Sequence, residues 1–218
     1  MITVIIPNLN NAGGLARLLS QLSGGVERII VSDGFSDDES LKAAAGFGVN
    51  LAIGTASRGA QLRRGVRLAL DAEWLLFLHA DSRLPENWRA LIDDHIQNNP
   101  DKAGHFKLRL DSSRLGARII EACAQLRSRA WALPYGDQGL LISRALYEAV
   151  GGYPDLPLFE DVKIIEAITA GRGRRRLRRI KGAITSSAAK YERDGFMRRG
   201  WRNFGLIRRY RQGAPVED

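Results

Sequence analysis

Residues 2–10 read ITVIIPNLN, and the change of character at Pro7 decides the fold. Ile2, Thr3, Val4, Ile5 and Ile6 form a short, nearly continuous apolar run. Such a run suits a strand buried in a parallel sheet better than a half-exposed one. Pro7 ends it, and residues 8–14, NLNNAGG, supply turn and cap residues. Leu15, Leu18, Leu19 and Leu22 then recur at helical spacing. The order strand, loop, helix repeats: ERIIVS (27–32) predicts a second strand, DGFSDDES (33–40) a polar turn entering a helix, VNLAIG (49–54) a third strand, Arg58 to Leu70 a helix, and WLLFLHAD (74–81) a fourth strand. Strands alternating with helices imply right-handed crossovers and an α/β sandwich with a mainly parallel central sheet. Ligands bind such sheets beyond the carboxyl ends of the strands. That rule singles out Asn8 to Asn11, Asp33, and His79 to Asp81.

The second half is less regular. AGHFKLRL (103–110) predicts a strand, residues 112–132 a helix, QGLLIS (138–143) a short strand, and FEDVKIIEAITA (159–170) a helix after a loop rich in Gly and Pro. RRLRRI (175–180) reads as a strand with exposed arginines. No internal repeat is present. With 218 residues, 44% hydrophobic and 26% charged, the chain is expected to be a single domain over 1–218. Its core runs to about 182, and a basic amphipathic segment covers about 183–218. Neither disorder nor a fibrous chain fits this composition. No run approaches the length of a transmembrane helix, and MITVIIPNLN lacks the basic region and cleavage site of a leader, so a cytoplasmic protein is expected. The single cysteine, Cys123, excludes an internal disulfide and a cysteine-clustered zinc site. It is expected to be a buried packing thiol.

The net charge of +9 is unevenly distributed. Residues 1–171 carry 18 basic and 20 acidic side chains, whereas 172–211 carry 15 basic and 2 acidic. The near-neutral body is therefore expected to hold the chemistry.

The ordered strings IIPNLN, VSDGFSDD, FLHADS, YGDQG and FEDV resemble the family 2 glycosyltransferases, and in particular a compact bacterial branch with HAD, GDQG and ED motifs. The likeness spans most of the chain. It implies a GT-A-like nucleotide-binding sandwich, a nucleoside-diphosphate sugar as donor, and Mn2+ or Mg2+ as cofactor. By this resemblance Pro7, Asn8, Asn10, Asp33, Arg58 and Ala80 lie at the nucleotide. A carboxylate such as Asp33 can accept a base N–H, whereas Asp37 and Asp38 read as turn and cap residues. Arg58 reads equally as a phosphate contact or a solvated helix-start residue. The resemblance also implies that Asp81 would hold the divalent cation, which would offset charge on the diphosphate. His79 is either a further ligand or a packed strand-end histidine, and no histidine follows His105. Three positions depart from the family pattern: Asn11 and Ser32 stand where acids are usual, and His79 replaces the first acid of Asp-x-Asp.

The ED pair supplies the base. An alcohol is a poor nucleophile at neutral pH, so a carboxylate must take its proton. Asp161 is assigned that role with Glu160 in support, against the alternative that both are dipole-favoured helix-start acids. Asp137, Gln138, Trp131 and Tyr135 are expected at the acceptor or sugar, through multidentate hydrogen bonding and ring stacking. A buried turn network is the competing reading of YGDQG.

Residues 192–211 place Met197, Trp201, Phe204 and Ile207 on one helical stripe, with Arg198, Arg199, Arg202 and Arg209 mostly opposite. Three roles fit: a cap on the core, a peripheral contact with an anionic membrane surface that would suit a lipid-linked acceptor, or nucleic-acid binding, against which the lack of a reading motif counts. The expected activity is inverting, metal-dependent sugar transfer. Its rivals are a nucleotide-sugar-binding scaffold without turnover and a sugar nucleotidyltransferase. The latter usually needs a basic, glycine-rich triphosphate loop, and residues 8–14 contain no Lys or Arg.

Overall fold

The N-terminal run forms β1 (Ile2–Asn8) at the centre of a seven-stranded sheet ordered β3-β2-β1-β4-β6-β5-β7. The computed structural model describes residues 1–170 and 173–212. The expected Arg172 and residues 213–218 of the basic segment lie outside the described residues. The remaining strands are β2 (Arg28–Asp33), β3 (Asn50–Ile53), β4 (Trp74–Phe77), β5 (Ala103–Leu110), β6 (Leu140–Ser143) and β7 (Leu177–Ser186). The helices are α1 (Ala12–Leu22), α2 (Ser40–Gly46), α3 (Arg58–Leu68), α4 (Trp88–Asn98), α5 (Leu115–Trp131), α6 (Arg144–Ala149), α7 (Glu160–Thr169), α8 (Ala189–Asp194) and α9 (Phe196–Arg211).

β1 is apolar throughout because both of its faces are covered. Ile5 packs on one side with Leu62 and Val66 of α3 and Ile165 and Ile168 of α7. Val4 and Ile6 pack on the other with Leu15, Leu18 and Leu19 of α1 and Ile92 of α4. Alternate side chains of a strand point to opposite faces, so one apolar run feeds two cores. Burying each Leu or Ile contributes about 1.5–3 kcal/mol.

β1 pairs in parallel with β2 and β4. The chain leaves β1 toward β2 and β3, then returns to the other side at β4, so the strand order reverses between β1 and β4. Crevices at such switch points are where open α/β sheets bind ligands. β6 runs antiparallel between β4 and β5, with Phe77 opposite Leu140. Its start therefore lies beside the carboxyl end of β4, which carries YGDQG to the same sheet edge as HAD. β7 lies parallel to β5, and its end arrives there as well. The expected fourth strand is shorter than its apolar run: β4 stops at Phe77, and the chain turns at once, with Ser82 N–H donating to the carbonyl of His79 at 3.0 Å.

The start of α3 is fixed by a close backbone approach. Gly59 N–H donates to Leu156 O at 3.0 Å, and a Cβ on Gly59 would meet Pro154 O and lie 2.7 Å from the Leu156 backbone. Backbone cannot yield as a side-chain tip can. Gly59→Ala is therefore expected to lower stability by about 1–3 kcal/mol, measured as a reduced urea midpoint, and to pull Arg58 away from α7.

Two expectations are corrected. Cys123 is exposed, not a buried packing thiol. α5 turns Ala117, Glu121 and Ala124 toward the body, which leaves position 123 on the outer side. The basic tail is also not one helix: it breaks at Gly195, whose φ of 85° is the left-handed region that favours glycine. Of the expected stripe, Ile207 enters the core and Tyr210 packs beside it, whereas Met197, Trp201 and Phe204 remain 53%, 69% and 59% exposed. The arginines of RRLRRI at 178 and 179 lie exposed on β7, as expected.

Candidate active site

At the β1 end of the switch point, two loops are laced together. Asn8 is buried and donates through Nδ2 to Asp33 Oδ2 at 2.9 Å and to Ser36 Oγ at 3.2 Å. The Asp33 carboxylate also accepts from Ser36 N–H and Ser36 O–H, both at 2.7 Å. Three of roughly four lone-pair positions on that carboxylate are thus occupied. Asn10 joins the lacing: its N–H donates to Ser36 Oγ at 2.9 Å, and its Oδ1 accepts from Asp37 N–H at 2.9 Å. Asp38 accepts from Ala12 N–H at 2.9 Å at the start of α1, the turn-and-cap role expected of it. Asn11 caps α1 by accepting from Gly14 N–H at 3.2 Å, a bond worth about 1 kcal/mol.

Sequence reasoning did not single out Gln61, which is buried and donates to the carbonyls of Asn8 at 2.7 Å and Ser32 at 2.8 Å. Its signal was available in the spacing: Gln61 lies one helical turn after Arg58. Phe35 was also passed over. It holds a left-handed backbone, φ 64°, and its ring is 67% exposed beside the laced loops. A non-glycine residue in that region is strained, and such strain clusters at binding sites.

At the other side of the switch point, a polar chamber of about 230 Å³ is lined by Arg58, His79, Asp81, Asp137 and Asp161, with Tyr135 at its margin. The structure thus brings together residues from α3, the turn after β4, the turn before β6, and α7. Ser186, Ser187, Lys190, Tyr191, Arg199 and Asn203 close it from β7, α8 and α9. Those six carried no recognisable string, because their approach depends on where β7 ends.

Gly136 packs tightly here. A Cβ on it would lie 2.7 Å from His79 Nε2 and 3.4 Å from Asp161 Oδ2. Its N–H donates to Asp161 Oδ2 at 2.7 Å, and Val162 N–H donates to Asp161 Oδ1 at 2.7 Å. Phe159, just before the ED pair, is left-handed with φ 64°, and its ring packs 4.7 Å from that of Tyr210 in α9.

The two members of the ED pair face different ways. Asp161 lines the chamber, whereas Glu160 is 1% exposed, does not line it, and approaches Arg58 Nε at 3.7 Å. Burial raises the Glu160 carboxyl to about 7, reinforced by Asp161 and opposed by Arg58. A carboxyl whose folded pKa is raised contributes stability that is complete below its unfolded value and is lost as pH rises through the folded one. Glu160→Gln is therefore expected to be more stable than wild type at pH 8, by on the order of 1 kcal/mol or more, and to match it at pH 4.5 in urea unfolding. Equal midpoints at both pH values would contradict the buried-carboxyl account.

Burial lowers His79 to about 4, helped by Arg58 and opposed by Asp81 and Asp161. It is a neutral imidazole at pH 7, the form that can ligate a metal. Asp137 rises to about 6 through burial, opposed by Arg127 and reinforced by Asp161 and Asp81. Its Oδ1 is buried without a hydrogen-bond partner among the described residues. The Asp81 carboxylate has a long contact, 3.4 Å, from Ser187 N–H.

Among the described residues no three His, Cys, Asp or Glu side chains form a ready-made cation site. The donor set still fits a hard divalent cation that takes most of its ligands from phosphate and water, since two carboxylates, Asp137 and the weakly engaged Asp81, line one chamber.

Four further expected site residues do not line the chamber. Gln138 is buried, accepting from Ser128 O–H at 3.0 Å and Arg127 at 3.3 Å and donating to Phe106 O at 3.0 Å. That is the buried turn network weighed against a sugar contact. Trp131 lies outside the chamber, on an apolar groove. Ala80 is buried in the sheet core, and Pro7 packs near Glu160 and His79.

No family model and no curated protein matches the sequence. Solved structures do match in fold. Residues 1–349 of S. aureus TarS in complex with UDP superpose with a TM-score of 0.64 at 17% identity, covering 85% of this chain and 60% of that one. Glucosyl-3-phosphoglycerate synthase from Mycobacterium tuberculosis in complex with phosphoglyceric acid superposes with a TM-score of 0.62 at 16% identity, covering 86% and 70%. The same synthase has been solved with Mn2+, UDP-glucose and phosphoglyceric acid, and matches with a TM-score of 0.62 at 15% identity over the same shares. The chain therefore has the GT-A-like fold that its motif order implies, and it spans 60% of the length of the TarS fragment.

Proposed function

We propose that the chain is a glycosyltransferase that moves a sugar from a nucleoside-diphosphate sugar to an acceptor hydroxyl with inversion. The observation that carries this reading is the convergence of Asp81, Asp137 and Asp161, from three separate segments, on one chamber at the switch point of the sheet. The fold shared with nucleotide-sugar enzymes and the family 2 motif order support it; fold alone would not.

On this reading the nucleoside lies over the laced loops of Asn8, Asn10 and Asp33, with Phe35 free to stack on the base and Arg58 directed to the phosphates. Asp81 would hold Mn2+ or Mg2+, with neutral His79 and Asp137 lining the same chamber. When bound, the cation offsets charge on the departing diphosphate. Asp161 takes the acceptor proton as the new bond from acceptor oxygen to the anomeric carbon forms. The bond from that carbon to the diphosphate oxygen breaks, and the nucleoside diphosphate leaves with the electron pair. A single displacement inverts the anomeric centre. Glu160 acts through Arg58 by holding it against α7. The chamber supplies alignment and charge stabilisation, which carry most of the rate in such reactions.

Met197, Trp201 and Phe204 remain exposed on α9. Among the described residues no helix is long and apolar enough to cross a membrane.

One observation favours the binding-only alternative. Both Asp161 oxygens accept backbone N–H groups, which occupy lone pairs that a base would turn to the acceptor. The deciding experiment is release of UDP or GDP from a panel of UDP- and GDP-sugars with Mn2+ present. Release on turnover supports the transferase; tight donor binding with no release across acceptors supports the binder.

A further inference from the structure

The larger cavity among the described residues is not the polar chamber. About 590 Å³ of space lies between α5 and α9, within the range of small-molecule sites. Its walls are mainly apolar, and several are more than half exposed: Leu126 61%, Trp131 62%, Trp201 69% and Phe204 59%. Large apolar side chains gathered in one concave patch mark a binding surface rather than ordinary solvent-facing residues.

Two observations define the occupant. The groove adjoins the chamber, and Tyr135, Asp137, Tyr191 and Asn203 line both. The chemistry changes from one to the other, from Asp137, Asp161 and Lys190 in the chamber to mainly aliphatic and aromatic side chains in the groove. A molecule that matches both ends has a polar head and a hydrocarbon tail.

We infer that the groove holds the hydrocarbon chain of an amphiphilic acceptor, whose hydroxyl-bearing head enters the chamber beside Asp161. This rests on the glycosyltransferase reading and names its acceptor class. It gives a role to features that the donor site leaves unused: the outward apolar side of α5 at Ile119 and Leu126, the exposed indoles of Trp131 and Trp201, and the exposure of Cys123 within the groove wall. It also explains why the stripe on α9 is only partly inserted in the core. Ile207 anchors the helix, and Trp201 and Phe204 form the far wall.

The test uses 1-monoacylglycerols with chains of 8, 10 and 12 carbons, below their micellar concentrations, against glycerol, with the full chain. Binding is read by tryptophan emission and by the alkylation rate of Cys123, the only cysteine. One monoacylglycerol per chain is expected to bind saturably, tightening about fourfold for each added methylene, and to slow Cys123 alkylation. Cys123→Trp, which fills the groove, and Leu126→Glu, at an exposed position on its wall, are each expected to weaken binding tenfold or more. Calorimetric binding, with Mn2+, of whichever of UDP and GDP the intact protein takes should be unchanged in both variants, which also establishes that they fold.

Absence of saturable binding, absence of chain-length dependence, or unchanged affinity in both variants overturns the proposal. Recruitment to anionic phosphatidylglycerol vesicles without binding of monomeric amphiphile overturns it in favour of a membrane-docking face. Self-association that protects Cys123 without amphiphile overturns it in favour of a protein interface. Absence of both UDP and GDP binding in wild type, with amphiphile binding intact, instead counts against the glycosyltransferase reading itself.

Discussion

Asp161→Asn is expected to reduce sugar transfer by about 10²–10⁴-fold, the usual contribution of a positioned general base, while leaving donor binding within about twofold. The substitution nearly conserves volume, and its amide oxygen can still accept from Gly136 N–H, the bond that now holds Oδ2 at 2.7 Å. What it removes is the basic lone pair that takes the acceptor proton. The loss should therefore fall on kcat and not on donor KM. Glu160→Gln provides the contrast. Glu160 is buried against Arg58 and does not line the chamber, so its replacement should cost far less. If Asp161→Asn kept full turnover and Glu160→Gln lost it, the roles of the two acids would be reversed.

The sequence carried the fold in its periodicities. Apolar runs at 2–6, 29–31 and 74–77 became parallel strands because each feeds cores on both faces, and polar residues directly after them lie at the candidate site. The chamber was legible where a local string sits at a strand end or helix start, as with His79 to Asp81, Asp137, and Glu160 with Asp161. Within the ED pair, Asp161 lines the cavity and Glu160 does not.

What the sequence hid depends on tertiary approach. Nothing local marks Lys190 or Asn203 as chamber residues, because their arrival depends on β7 pairing with β5 and on the break at Gly195. Gln138 looked like a sugar contact because it follows Asp137, but the antiparallel entry into β6 turns it toward Phe106 and Ser128. Cys123 was misplaced by base composition: a lone cysteine is usually buried, yet here the inward positions of α5 fall at 117, 121 and 124. Trp131 was expected at a sugar, and instead helps to form the apolar groove. The laced loops of Asn8, Asn10 and Asp33 show a further effect. A carboxylate identified for base recognition is also what fixes the loop, since Ser36 and Asn8 occupy most of it.

The second large effect concerns Asp81. It stands just after β4, at the switch point, with one long N–H contact and with Asp137 lining the same chamber. A diphosphate placed there without a cation would meet Asp81, Asp137 and Asp161 together. That repulsion already helps raise the Asp137 carboxyl to about 6, after burial and against Arg127. Nucleotide affinity should therefore depend steeply on metal, and the metal on Asp81. Removing a carboxylate ligand is expected to cost about 100-fold or more, since even outer partners of metal ligands cost 10–100-fold. The fold should survive, because Asp81 is only half-buried and contributes no core contact.

The most direct measurement is calorimetric titration of UDP and GDP, with and without Mn2+, into the intact protein and into Asp81→Ala. The account predicts saturable, Mn2+-dependent binding of one of the two nucleotides to the intact protein, and loss of the Mn2+-dependent part in the variant. Failure of the folded intact protein to bind either nucleotide under any metal condition would contradict it.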